Sequence, residues 1–98
     1  MKVRWTEQSH ARLAEIFEFV ARDDLEAADR LVARLIEGGE ALGRFPRSGR
    51  RVPEIRSADV REVIEGNYRI VYRVRKRVVE ILTVFEGHRL LRRNEVGE

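Results

Sequence analysis

Apolar and charged residues alternate with a period of two between Tyr68 and Arg75, which is the pattern of a strand with one face on a protein core. One predicted face consists of Tyr68, Ile70, Tyr72 and Val74, and the other of Arg69, Val71, Arg73 and Arg75. Aromatic and β-branched residues dominate the first face, and arginine dominates the second. The pattern therefore predicts a strand with a core face and a cationic face.

Strands are also predicted on either side of this one. Gly66 and Asn67 form a turn pair directly before it, and the segment from Arg61 leads into that turn. Residues 78–85 form an apolar run rich in β-branched residues, as expected for a buried strand. Three successive strands are thus predicted. The register of the second hairpin stays open because residues 75–77 contain no Gly or Asn.

The first half of the chain predicts a short strand over residues 1–5, followed by a helical hairpin. Thr6 suits a helix N-cap, and apolar residues recur after it at i, i+3, i+4 and i+7, namely Leu13, Ile16, Phe17 and Val20. A second helix is predicted to start near Asp23, which resembles the first residue of a capping box. At Gly38 and Gly39 this helix either packs closely or bends, or it ends earlier.

Length and composition limit the classes of protein to consider. At 98 residues, one domain spanning 1–98 is expected. The chain has no Cys, and its two histidines, His10 and His88, lack a metal-ligand spacing, so neither a metal site nor a cofactor is expected. The N-terminus lacks the apolar run of a signal peptide or a membrane span. We therefore expect a soluble cytoplasmic protein without a membrane partner.

Charge is distributed unequally along the chain. Residues 1–43 hold 6 Lys and Arg against 9 Asp and Glu, a net charge of −3, whereas residues 44–98 hold 14 against 8, a net charge of +6. Nearly all the cations are arginines, which bind carboxylates and phosphates with two parallel hydrogen bonds. The expected partner is therefore acidic, either a protein or a nucleic acid. The alternative is that single arginines are solvated or pair with nearby glutamates.

Several arginines are candidate site residues. Arg61, Arg69, Arg73 and Arg89 are expected on one sheet face opposite the helical hairpin, and Arg50 and Arg51 lie in a basic connector rich in Pro and Gly. Glu86 and His88 form a candidate acid and base couple near Arg89. The alternative is that Glu86 holds an arginine and His88 is a surface residue.

The order of elements and several motifs resemble the ParE/RelE superfamily of toxins from bacterial type II toxin-antitoxin modules. The resemblance covers nearly the whole chain and rests on the strand at 68–74, the segment 84–89, the connector at 42–50 and the Ala27-Ala28 pair. It implies an α+β fold of order β-α-α-β-β-β, in which the helical hairpin packs on a small twisted antiparallel sheet. It also implies an antitoxin whose acidic C-terminal segment wraps the toxin in a hetero-oligomer.

Two branches of the superfamily imply different functions. RelE-like members cut mRNA on the ribosome, and their pattern places phosphate-binding arginines at Arg69 and Arg89. In this alternative, the candidate couple Glu86 and His88 would supply proton transfer. The chain departs from that pattern at Val60, Glu62 and Glu95.

ParE-like members poison DNA gyrase by protein contact and stabilise plasmids. The missing proton-transfer residues favour this non-enzymatic branch, in which the antitoxin or target contacts are Arg50, Arg51, Arg61, Arg69, Arg73 and Arg89. A plain nucleic-acid-binding module is a third interpretation.

Overall fold

The computed structural model describes residues 1–87 and 93–96. Its helices and strands are β1 Lys2–Trp5, α1 Glu7–Ala21, α2 Leu25–Glu40, β2 Arg50–Arg51, β3 Val60–Glu65, β4 Tyr68–Arg75 and β5 Val78–Glu86. Short 3-10 helices lie at Ala41–Gly43 and Arg93–Val96. The predicted order of one strand, two helices and three strands is therefore confirmed, and β2 is an addition.

Side-chain caps define where both helices begin. Thr6 caps α1 as predicted, because its hydroxyl accepts a hydrogen bond from the Ser9 N–H at 3.2 Å. The cap of α2 is Asp24, which accepts from the Ala27 N–H at 3.0 Å. The prediction of Asp23 was thus wrong by one residue, because two adjacent aspartates offer the same carboxylate acceptor to the helix N-terminus.

Gly39 allows close packing between α2 and β1. The helix continues through Gly38 and Gly39 to Glu40, so an earlier end is excluded. A Cβ atom on Gly39 would lie only 2.5 Å from Cζ2 of the Trp5 indole. Trp5 also donates from its indole nitrogen to Glu40 at 2.7 Å. The missing side chain at Gly39 is therefore what lets the Trp5 ring lie against α2.

The sheet has the strand order β1-β5-β4-β3-β2. Strand β1 pairs parallel with β5, and the other pairs are antiparallel, so the sheet is mixed rather than wholly antiparallel as predicted. The parallel pairing follows from topology, because the two helices carry the chain back across the sheet between β1 and the later strands. Strand β2 has only two residues, both arginines, and shows no alternation that sequence analysis can detect.

Both faces of the sheet are buried, which corrects the prediction of one core face and one arginine face. The helices cover the main core, which includes Leu35, Tyr72 and Ile81. A second cluster fills the opposite face, where connector residues pack on strand residues: Val52, Ile55, Val60, Val71, Leu82 and Phe85. We call this opposite side the connector face of the sheet.

A bulge in β5 decides which of its side chains reach each face of the sheet. The register with β4 shifts, since Tyr72 pairs with Ile81 and Val71 with Thr83. Leu82 is the extra residue, so the strict alternation breaks there and both Leu82 and Phe85 join the connector face.

The turn before β5 consists of Lys76 and Arg77, which both have positive φ, at 51° and 62°. This turn fixes the hairpin register that the sequence left open.

Candidate functional site

Arg69 lies at the centre of a charged network on the connector face. Its Nη1 and Nη2 atoms donate to Oε2 and Oε1 of Glu54 at 2.8 and 2.9 Å, and its Nε donates to Oε1 of Glu62 at 2.6 Å. Its Cζ atom lies 5.0 Å from the centroid of the Phe85 ring. Arg69 is only 4% exposed. The guanidinium is thus enclosed between two carboxylates and an aromatic ring.

Glu62 extends this network to the edge of the sheet. Its side chain has no solvent exposure, and its Oε2 accepts from Nε of Arg50 at 2.7 Å. Arg50 itself has a side chain that is 62% exposed. The hydrogen bond with Glu54 raises the pKa of Arg69, although burial lowers it in part. These four residues carry two positive and two negative charges, so their charges balance within the described part of the chain.

The Tyr72 hydroxyl joins the connector to the sheet. It donates to the Pro46 carbonyl at 2.8 Å and accepts from the Gly49 N–H at 2.9 Å. A Cβ atom on Gly49 would lie 2.6 Å from that hydroxyl, so this close approach requires glycine. Burial raises the pKa of Tyr72, while the Gly49 hydrogen bond and the nearby cations Arg61 and Arg47 lower it in part.

Arginines surround the β2 edge of the sheet, where Arg61 is half-buried and the others are exposed. Arg51 pairs with Arg61 across the β2 and β3 ladder, and Nη1 of Arg61 donates to the Gly49 carbonyl at 2.9 Å. Within the described part of the chain, Arg47, Arg51 and Arg61 form no ion pair with a carboxylate. We call Arg47, Arg50, Arg51 and Arg61 the β2-edge patch. Its net positive charge suits an acidic partner.

An apolar groove of about 720 Å³ lies between α1 and the ends of β4 and β5. It is lined by Arg12, Glu15, Ile16, Phe19, Tyr68, Val84, Phe85 and Glu86. Phe19 is 67% exposed, which is unusual for a large aromatic residue. Burial raises the pKa of Tyr68, and the carboxylate of Glu86 raises it further. Sequence analysis missed Phe19 because it lies outside the predicted stripe of α1.

Two further observations concern residues 1–87 and 93–96 alone. They contain no group of three or more His, Asp or Glu side chains that could hold a metal ion. They also contain no helix with the length and apolar composition needed to cross a bilayer.

A sequence model of the family described as ParE toxin of type II toxin-antitoxin system, parDE, matches residues 3–91. The chain belongs to the ParE toxin family. It is similar to a curated protein of Sinorhizobium fredii that carries the name "Putative toxin Y4kP". The two are 40% identical over 87 residues, which cover 89% of this chain and 88% of that protein.

Solved structures support the same fold for this ParE-family chain. The chromosomal ParDE toxin-antitoxin system of P. aeruginosa matches with a TM-score of 0.74 and 24% identity, over 88% of this chain and 95% of that one. The RelBE2 toxin-antitoxin complex of Mycobacterium tuberculosis matches with a TM-score of 0.64 and 24% identity, over 87% and 95%. The expected α+β fold of the ParE/RelE superfamily is therefore confirmed.

The predicted site residues of this ParE-family chain do not gather on one face. Arg69 and Arg73 share the connector face, but both are buried. Arg61 pairs with Tyr72 and therefore lies on the helix side of the sheet, which corrects the prediction that all these arginines share one face. The predicted contacts Arg50 and Arg51 are exposed on β2, and Glu86 is exposed at the end of β5. His88 and Arg89 lie outside the described residues.

Proposed function

We propose that this member of the ParE toxin family inhibits growth by binding DNA gyrase in the cytoplasm and does not cut RNA. In this proposal a cognate antitoxin with an acidic C-terminal segment neutralises the toxin in a hetero-oligomer, as expected for a module that stabilises a plasmid. One observation carries the choice between gyrase binding and RNA cleavage. Arg69, the arginine that a RelE-like nuclease would use for phosphate, is buried against Glu54 and Glu62.

Presenting Arg69 to an RNA phosphate would require breaking this network. Three of its nitrogens already donate to carboxylate oxygens at 2.6 to 2.9 Å. Removing the guanidinium would leave Glu62 buried with one partner fewer, which is a strongly unfavourable state for a carboxylate. A phosphate would also meet the two carboxylates at this position. These contacts support a structural role for Arg69 and a non-enzymatic toxin.

Two surfaces suit an antitoxin segment. The β2-edge patch offers exposed cations to acidic residues, and the groove beside Phe19 offers apolar surface to hydrophobic anchors. A disordered segment that folds on binding typically combines such charged and apolar contacts over a large area. We therefore assign both surfaces to the antitoxin in this proposal.

The proposal is tested by separating the two possible targets. The purified chain is added to a gyrase supercoiling reaction, with and without its antitoxin, and mRNA from induced cells is mapped by primer extension. Inhibition of supercoiling that the antitoxin relieves, with intact transcripts, is the expected result. Codon-positioned cuts in mRNA together with unaffected supercoiling would contradict the proposal and favour the endoribonuclease.

A further inference from the structure

The turn between β4 and β5 carries two cations in a backbone conformation that disfavours them. Lys76 and Arg77 have φ values of 51° and 62°. A two-residue turn with both central residues at positive φ strongly favours Asn-Gly, because other side chains are strained there. Strained residues persist where the surrounding structure holds them, and they are frequent at functional sites. The two positive charges of this turn are therefore candidates for a binding role.

Strand pairing places further cations next to this turn. Lys2, Val78 and Arg75 form one row across β1, β5 and β4, and Arg4, Glu80 and Arg73 form the next row. Strands lie about 4.8 Å apart and alternate residues about 7 Å apart, so the exposed cations Lys2, Arg4 and Arg75 fall within roughly 12 Å of each other. We call Lys2, Arg4, Arg75, Lys76 and Arg77 the turn-end patch.

The turn-end patch is strongly unbalanced in charge. Among its five cations, Arg4 forms an ion pair with Glu80. Within residues 1–87 and 93–96, the other four cations form no ion pair. Lys2, Arg4, Arg75 and Lys76 border a recess of about 240 Å³ in which Val78 is the apolar residue.

We propose that the turn-end patch binds the phosphate groups of a duplex DNA backbone. A duplex carries one negative charge per roughly 1.7 Å of its axis, so it presents about seven charges over the roughly 12 Å that the patch spans. Phosphate contacts of this kind need cations and no apolar pocket. An acidic peptide gains its affinity from apolar anchors as well, and those are offered by the groove at Phe19 on another part of the molecule.

The test measures binding of the full-length chain to a fluorescein-labelled duplex of about 20 base pairs by fluorescence anisotropy. Four phosphate contacts give a salt slope of about −3.6, so affinity is expected to fall about 150-fold between 50 and 200 mM salt. The double variant Lys76→Asn and Arg77→Gly removes two contacts, which lowers the slope to about −1.8 and the fall to about 12-fold. Because Asn-Gly is the sequence that this type of turn favours, the variant is expected to stay folded. Its weaker salt dependence would therefore come from the lost charges.

Two further variants make the result specific. Lys76→Gln with Arg77→Gln keeps the turn strain and removes the same charges, so it is expected to match the Asn-Gly variant in salt slope. Arg22→Gln with Arg34→Gln removes two exposed cations, at the C-cap of α1 and on α2, and is expected to leave the slope unchanged.

Several outcomes would overturn the proposal. These are no binding at 50 mM salt, an unchanged slope in the two turn variants, or an equal loss in the helix variant. Inorganic phosphate that competes as well as the duplex at equal phosphate concentration would assign the patch to small anions instead. A glutamate-rich peptide that binds more tightly than the duplex and is weakened by the turn variants would assign it to an acidic protein.

Discussion

Arg69 and Glu54 form an ion pair with two parallel hydrogen bonds, which joins β4 to the irregular segment between β2 and β3. The two nitrogen to oxygen distances are 2.8 and 2.9 Å, and both side chains are largely buried. Such paired contacts fix direction as well as distance. The arginine that resembles a phosphate ligand of ribonuclease toxins therefore holds the connector on the sheet in this chain.

Replacing Arg69 with Met is expected to destabilise the fold by about 3–5 kcal/mol, because it removes a charged partner from two largely buried carboxylates. The measurement is the free energy of unfolding from urea denaturation. Arg51→Met is the matched control, since Arg51 is an exposed arginine one residue from the network, and its change should stay within about 0.5 kcal/mol. A folded Arg69→Met variant of ordinary stability would show that the network does not hold the connector.

Substitution by alanine is expected to affect stability differently at Gly38 and at Gly39 of α2. Gly39→Ala places a Cβ atom 2.5 Å from the Trp5 ring, so we expect a loss of about 1–3 kcal/mol from overpacking. Gly38→Ala meets the flexible end of Glu65 at 3.0 Å and gains helix propensity, so its stability should stay within about 1 kcal/mol of the wild type. Thermal unfolding of the two variants tests this difference. Equal losses would contradict the packing of Trp5 on Gly39.

Stability is expected to fall in alkaline solution because of Tyr72. Burial raises its pKa above the ordinary value of 10.0, so the folded chain holds the phenolic proton more tightly than the unfolded chain does. This contribution is complete below pH 10 and is lost as the pH rises through the folded pKa. Tyr68, whose pKa is also raised, adds to the same trend.

Tyr72→Phe separates this effect from others. At neutral pH we expect a loss of about 1–3 kcal/mol, because the Gly49 N–H and the Pro46 carbonyl lose their partner. Between about pH 9 and 11.5 the variant should then lose less stability than the wild type. Urea denaturation across this range is the measurement. Parallel pH profiles for the two proteins would show that Tyr72 does not titrate as proposed.

Local patterns predicted the helices and the three main strands, but not what covers the connector face. The alternation from Tyr68 to Val74 is strong enough to locate β4 and its core face. Val52 and Ile55 lie in an irregular segment with no period, so nothing in their spacing indicates a second core. The partnership of Glu54 with Arg69 is equally invisible, because it joins residues 15 apart through tertiary folding.

The sheet face on which Arg61 lies could have been predicted correctly from the sequence. A two-residue turn at Gly66 and Asn67 makes Glu65 the partner of Tyr68. Counting back in steps of two from Glu65 places Arg61 on the Tyr68 side, away from Arg69. The bulge at Leu82 had no comparable signal. The length of the connecting turn therefore predicts which residues of two paired strands share a sheet face better than residue type does.

The turn at Lys76 and Arg77 predicts a stabilising substitution. Asn-Gly at these positions should raise the free energy of unfolding by about 1–2 kcal/mol, since it relieves the strain of two side chains at positive φ. Replacing both residues with Gln removes the same charges but retains the strain, so it should give no gain. Chemical denaturation compares the variants. Equal stabilisation by both would assign the effect to charge repulsion.

Phe19 is expected to contribute to antitoxin affinity and little to folding. Its side chain is 67% exposed beside the apolar groove, so Phe19→Ser should change stability by no more than about 0.5 kcal/mol. Burying a phenyl ring in a complex contributes about 1.5–3 kcal/mol, so the variant should bind the antitoxin about 10- to 150-fold more weakly.

Leu25→Ser is the matched control for Phe19, because Leu25 is 60% exposed at the start of α2 and does not line the groove. Its affinity for the antitoxin should equal that of the wild type. Titration calorimetry measures all three proteins under one salt condition. If both variants bind like the wild type, the antitoxin does not use the groove, and the cations of the β2-edge patch remain as its proposed contact.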